Sequence, residues 1–212
     1  MSMNIIFATG NEGKMREIRE IMKDTDAVLF SAKEKSISTD VDETGTTFEE
    51  NAVIKAKDAY EKGLAAGITD AVFLSDDSGL EVDYLNKEPG VYSARYMGED
   101  TSYDIKNDSI IERLSGVPDD KRTARFVSVI AAVLPGGESF YVRGELEGRI
   151  GYERKGRYGF GYDPIFYYPP LDCHTGELLP EEKNAISHRG KALALMKEEL
   201  VRRGILGGNR RA

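Results

Sequence analysis

The chain has 212 residues, 40% of them hydrophobic and 31% charged, with a formal net charge of −8 and one cysteine, Cys173. That length suits one large domain or two interleaved lobes around a sizeable core, and the composition excludes disorder and fibrous structure. The acidic balance argues against broad, sequence-blind nucleic-acid binding, and a lone cysteine excludes an intramolecular disulfide and a thiolate metal cage.

In chain order, Asn4-Ile5-Ile6-Phe7-Ala8-Thr9 predicts a short strand, Gly10-Asn11-Glu12-Gly13-Lys14 a tight loop, and Met15, Ile18, Ile21 and Met22 an amphipathic helix. The free N–H groups at the start of such a helix, with its dipole, suit an anion, and Lys14 adds a mobile charge. Thr9 and Asn11 can bind phosphate oxygens or cap the helix. The pattern is neither a Walker loop nor a dinucleotide fingerprint. Residues 27–31 predict a second strand and 33–40 a polar connection. Thr47 with Glu50 forms a capping box that opens a helix through Val53, Ala56 and Ala59 to about Ala66, ended by Gly67. Capping accounts for Glu50; Asp42 and Glu43, in the loop before it, are candidate oxygen ligands. Asn51 and Lys55 share a helix face and can reach phosphate or hold carboxylates.

Ala71-Val72-Phe73-Leu74 predicts a buried strand that ends in Ser75-Asp76-Asp77-Ser78-Gly79, read as an acidic turn at the rim of a sheet. Two adjacent carboxylates raise each other's pKa or recruit a cation, and a hard metal such as magnesium is a natural partner. A solvated Asp-rich turn is the structural alternative. Residues 84–96 read as a loop over a cleft, 101–114 as a helix closed by Gly116 and Pro118, 123–134 as a buried strand and 139–150 as its hairpin partner. Lys155 to Pro164 mixes glycines with aromatics, which suits either a loop that stacks a planar ligand or a packed glycine-rich corner. Cys173 and His174 have no partner at metal spacing. Ser187 is a candidate N-cap for a last helix carrying Leu193, Met196 and Leu200, with His188 and Arg189 in its first turn and Gly204 at its end. A cationic pair there opposes the dipole, which a function needing positive donors would justify. The tail from 207 reads as loose. With no basic-then-apolar leader and no run of about eighteen apolar residues, the expectation is a soluble, cytoplasmic protein with no membrane contact.

Six stretches lie in one order: Thr9 to Lys14, Thr46 to Ala52, Ser75 to Leu80, Pro89 to Tyr96, Gly159 to Pro164 and Glu182 to Gly190. In these the chain resembles the noncanonical purine nucleoside triphosphate pyrophosphatases, enzymes that act on inosine and xanthosine triphosphates. The resemblance spans nearly the whole chain and implies a single 1–212 domain of mixed α/β fold, an elongated twisted sheet flanked by helices, with two lobes around a central cleft, acting as a homodimer. It implies magnesium-dependent cleavage between the α and β phosphates of purine nucleoside triphosphates (ITP, dITP, XTP, dXTP). The products would be monophosphate and pyrophosphate, which would keep deaminated purines out of nucleic acid. By the same resemblance Asp77 is the general base and a metal ligand. Asp42 is the second metal carboxylate, with Glu43 and Glu50 as alternatives. Thr9, Gly10, Asn11, Glu12, Gly13 and Lys14 grip the triphosphate, and Ser78 touches substrate. Phe160, Gly161, Tyr162 and Asp163 hold the base, and Lys183, His188 and Arg189 reach phosphate and the 6-oxo edge. Residues 171–179 match loosely and are expected to alter a surface loop and leave the chemistry untouched. The competing readings are a pyrophosphatase of modified pyrimidine nucleotides and a nucleotide sensor that binds without cutting.

Overall fold

A computed structural model describes residues 2–207; the tail expectation falls mostly on 208–212, outside the described residues. Asn4–Phe7 forms β1 and Val28–Ser31 forms β2, joined by helix α1 (Glu12–Ile21). Helix α2 (Phe48–Ala65) leads to β3 (Ala71–Val82), and α3 (Tyr103–Arg113) to the hairpin of β4 (Thr123–Val133) and β5 (Ser139–Ile150). Short strands β6 (Phe166–Tyr168) and β7 (Cys173–His174) precede α4 (Pro180–Ile186) and α5 (His188–Arg202). The strands form one mixed seven-stranded sheet in the order β2-β1-β3-β4-β5-β6-β7, so the expected α/β class holds. β1 runs parallel to both neighbours, with Ile5 opposite Leu29 and Val72, whereas β6 is antiparallel to β5 and β7.

The chain divides into two compact units. The first holds the described residues up to Asp77, Ser128–Gly144 and those from Arg189 on; the second holds Ser78–Val127 and Glu145–His188. In the first, Ile5, Ile6 and Phe7 are all fully buried, as befits a parallel strand covered on both faces. Ile5, Phe7, Val72 and Leu74 pack with Met15, Ile18, Leu193 and Met196, the apolar stripes of α1 and α5. The alternate side chains of β3 face α2: a Cβ at Gly63 would lie 2.2 Å from the Phe73 ring, and Ser75 donates to the Ala52 carbonyl at 2.5 Å. The second unit has its own core, in which Leu80, Ile110, Leu114, Phe126, Ile150, Ile165 and Phe166 meet.

Local signals decide the helix starts. Asn11 accepts the Lys14 N–H at 3.0 Å and Thr47 accepts the Glu50 N–H at 3.1 Å. Gly67 and Gly204, at φ of 80° and 71°, end α2 and α5 as expected. The acidic stretch departs from expectation. Ser75 to Gly79 is no turn: it lies in the interior of β3, which runs unbroken through it. Before the last helix lies a further short one, α4, and Ser187, the candidate N-cap, is extended between α4 and α5.

Candidate active site

Because successive side chains of a strand point to opposite faces, Asp76 and Asp77 part company although they adjoin in sequence. Asp76 shares the Leu74 face, with α1 and α5. Its carboxylate accepts from Arg189 Nε at 2.9 Å and Ser128 Oγ at 3.1 Å, and Lys14 Nζ lies 3.2 Å away. Arg189, 2% exposed, also donates from Nη1 to Glu17. Burial alone would raise the Asp76 carboxyl, but Arg189 and Lys14 outweigh it and hold the group far below the usual carboxylate range. The mutual repulsion expected of the pair is thus relieved by geometry and by a separate cation for each acid.

Asp77 shares the Phe73 and Ser75 face, with α2. Lys55 Nζ donates to its Oδ1 at 2.6 Å, while Oδ2 is buried without a hydrogen-bond partner among the described residues. Burial pushes the Asp77 carboxyl up, and Lys55 and Lys14 pull it back only in part. Lys55 itself is depressed by burial but raised more by Asp77 and Glu43, so it stays charged. A carboxylate with one oxygen held and the other free, and with raised basicity, is equipped to take a proton from water.

The candidates for the second acid separate cleanly. Glu43 Oε1 lies 3.5 Å from Lys55 Nζ and so joins Asp77 at the same cation. Asp42 is exposed, and Glu50 is spent on the Thr46 N–H and hydroxyl at 2.7 and 3.0 Å. Of the three, Glu43 is the one placed beside Lys55, whereas Asp42, the expected second carboxylate, is exposed. Asn51 arranges this loop: its Oδ1 accepts the Gly45 N–H at 2.8 Å, where any Cβ would strike that oxygen at 2.6 Å. A hard cation fits the Asp77 and Glu43 carboxylates, whose oxygens are its preferred donors. Among the described residues no three His, Cys, Asp or Glu side chains form a cage, so water and phosphate oxygens would complete the shell.

The strand, loop and helix expected from residues 4–22 are present. Thr9 is buried and its hydroxyl accepts the Asn11 N–H at 3.2 Å, while Gly10, Asn11 and Glu12 are exposed and Gly13 is half-buried at the start of α1. Thr9, Gly10 and Asn11 line a cavity of about 520 Å³ with Arg16 and Lys33.

In the second unit the residues expected to hold the base form one hydrogen-bonded assembly. Asp163 Oδ2 accepts from Lys183 Nζ at 2.6 Å and from the Phe160 N–H at 2.8 Å. Lys183 Nζ also lies 4.9 Å from the centre of the Phe160 ring. Gly159 is obligatory, since a Cβ would come within 2.2 Å of Asp163 Oδ2. Asn107 donates to the Gly161 carbonyl at 3.1 Å. Phe160 and Gly161 are half-buried, whereas Tyr162 is buried. It sits in the core, 4% exposed, edge-on to Tyr103 at 5.3 Å, with its hydroxyl donating to the Ser93 carbonyl. Lys183 is likewise 4% exposed and pinned to Asp163. His188 is stacked on Phe126 with ring centres 4.8 Å apart. Ser78 is half-buried in β3.

A family model described as the Ham1 family matches residues 5–199. The chain belongs to the Ham1 family. It is 45% identical over 201 residues to a dITP/XTP pyrophosphatase of Clostridium perfringens, covering 95% of this chain and 98% of that protein. It is 48% identical over 199 residues to the dITP/XTP pyrophosphatase of Exiguobacterium sibiricum, covering 94% and 98%. Among solved structures, a HAM1 protein from Coxiella burnetii superposes with a TM-score of 0.83 at 39% identity over 94% of this chain and 99% of that one. The Staphylococcus aureus Ham1 protein does so at 0.81 and 38% identity over 93% and 97%. The fold and family expected from the six stretches are therefore those found.

Sequence reasoning missed Glu17, Ser128, Asn107 and Thr175. Each is an ordinary polar residue whose partner is distant along the chain, and none stood in a motif. Glu17 alone left a trace, one helical step beyond Lys14 on α1.

Proposed function

We propose that this chain hydrolyses deaminated purine nucleoside triphosphates, such as dITP and XTP, to monophosphate and pyrophosphate, keeping deaminated purines out of nucleic acid. The observation that carries the chemistry is Asp77: buried, raised in pKa, one oxygen on Lys55 and the other without a partner among the described residues. Its relatives' names point to the same substrates.

Asp77 Oδ2 acts as the base that takes a proton from the attacking water, and Lys55 fixes the carboxylate's orientation. Lys14, with the exposed N–H groups at the start of α1, neutralises triphosphate charge. Asp76 orders this machinery: ionised throughout the working range, it anchors Lys14 and Arg189 and leaves Asp77 to titrate. Glu43 and Asp77 would hold a magnesium ion, which when bound would neutralise charge developing on the phosphate oxygens. In the second unit the Phe160 ring offers a stacking face to the base. Lys183 and His188 are candidate donors to a 6-oxo group; a 6-amino group would leave such donors unpaired, which is how a site rejects adenine. Arg189, expected as a donor to the base, acts first on Asp76 and Glu17.

The finer expectations are part of this proposal. Exposed Tyr92, Met97 and Ile105 on the second unit support a homodimer, which sedimentation equilibrium would test. No helix among the described residues is long and apolar enough to cross a membrane, in keeping with a cytoplasmic place. The deciding experiment is a turnover panel of dITP, XTP, dGTP, dATP and dCTP with magnesium, with and without chelator, and with products separated chromatographically. Pyrophosphate and monophosphate from dITP and XTP alone, abolished by chelator, is the expected result. Preference for a pyrimidine substrate, release of single phosphates or indifference to chelator would refute it, and binding without turnover would make the chain a sensor.

A further inference from the structure

The segment 171–179, expected to be a surface loop without a part in the chemistry, contains the buried group on which the aromatic loop stands. His174 and Thr175 are 5% and 0% exposed, and the Thr175 hydroxyl donates to Asp163 Oδ1 at 2.9 Å, with the Asp163 carbonyl as its alternative acceptor at 3.2 Å. Asp163 Oδ2 is already taken by Lys183 and the Phe160 N–H. Both carboxylate oxygens are therefore committed inside the protein, and Asp163, 2% exposed, is an organiser of the loop with no oxygen left to read a base. The same segment braces the loop again: Tyr158 N–H donates to the Gly176 carbonyl at 2.9 Å, and Gly156 lies so close that a Cβ would fall 2.0 Å from the Gly176 backbone.

We propose that Thr175 is a positioning residue for base recognition. By fixing the rotamer of Asp163 it sets the Phe160 backbone, and with it the ring, and holds the Lys183 ammonium beside that ring. The proposal rests on the reading of the Phe160–Asp163 loop as the base site. Removing the hydroxyl leaves Asp163 Oδ1 buried and unsatisfied, and a buried carboxylate turns to regain a donor, carrying Phe160 and Lys183 with it.

The test compares wild type with Thr175→Val, which keeps shape and loses the donor, and Thr175→Ser, which keeps the donor and loses a methyl. Steady-state kinetics on dITP, the affinity for inosine monophosphate by calorimetry and the melting temperature are measured for each. In the Val variant KM for dITP rises roughly ten- to hundredfold, the span of one hydrogen bond to a charged group, while kcat changes by less than about threefold. Inosine monophosphate weakens in parallel, and Ser restores both. Wild-type KM and monophosphate affinity in a Val variant that merely melts lower would overturn the proposal, as would a fall confined to kcat, or a Ser variant as impaired as Val. If Val does not fold, Thr175→Cys, which keeps the volume and weakens the donor, takes its place in the comparison. A wild-type chain that binds inosine monophosphate without cutting dITP overturns the hydrolase reading alone, and Thr175 is then judged on monophosphate affinity. A chain that ignores both ligands overturns the two together.

Discussion

Replacing Lys55 by methionine removes one charge from the active site and keeps most of the stem, and its consequence is a shift in pH dependence. Lys55 Nζ sits 2.6 Å from Asp77 Oδ1, with side-chain exposures of 13% and 8%. At that distance and an effective dielectric of about 20 the bare attraction is about 6 kcal/mol, but water entering the vacated space offsets much of it. A shift of roughly one to three pH units, the usual effect of a close opposite charge on a carboxyl, is the working figure. The sign follows from what Asp77 must do. Its basic form is lost as pH falls through its pKa, which burial already holds above the ordinary 3.8 and which Lys55 restrains. Without Lys55 the pKa climbs, so the acid limb of kcat/KM, which reports the free enzyme, moves up by roughly one to three units. The assay is pyrophosphate release from dITP across the acid range. A limb that stays where it was, whatever the loss of rate, would mean that Lys55 works on the substrate alone or that Asp77 is not the base.

Three further substitutions probe other links in the same chain of reasoning. Asp77→Asn keeps the acceptor for Lys55 and removes the base, so calorimetry should find nucleotide binding retained while turnover falls about 10²- to 10⁴-fold; near-normal turnover would remove Asp77 from its role. Gly63→Ala gains about 0.5–1 kcal/mol in helix preference, but its Cβ would lie 2.2 Å from the Phe73 ring. A net loss of about 1–2 kcal/mol should appear in urea unfolding, and a more stable variant would show that the ring can yield. Arg122, 1% exposed, donates to the carbonyls of Ile150, Leu114 and Gly151 at 2.8, 2.7 and 2.6 Å. Lysine cannot reproduce that planar fork, so Arg122→Lys should cost about 2–4 kcal/mol by the same measurement, and an unchanged midpoint would contradict the role assigned to the three bonds.

The parts of the fold legible in the sequence are those written by neighbours. Asn11 and Thr47 cap helices through residues three positions away, and Gly67 and Gly204 stop them by taking a left-handed backbone. The apolar stripes of α1 and α5 and the glycine turn of the β4–β5 hairpin are equally local. The acidic stretch misled because two adjacent aspartates read as solvent-seeking, and a turn is where unpaired carboxylates belong. In the fold, β3 carries both through the interior because cations from α1, α2 and α5 meet them there. The resemblance pointed to Asp42, with Glu43 as an alternative, and only the fold, in which Asn51 ties down the loop at Gly45, shows Glu43 beside Lys55. Lys183 and Tyr162 were expected at the base site from the resemblance, and only the fold shows that Lys183 also pairs with Asp163 and that Tyr162 lies in the core.

The sequence by itself determined the family and the α/β class, because each rests on residue types in short runs that act through local backbone geometry. Only the tertiary structure decided which acid meets which cation. Arg189 reaches Asp76 across 113 positions and Glu17 across 172, and Lys55 reaches Asp77 across 22. Opposite charges and hydrogen-bond donors act over a few ångströms of space whatever their separation along the chain, so their pairing is unreadable until the fold has chosen which side chains share a face.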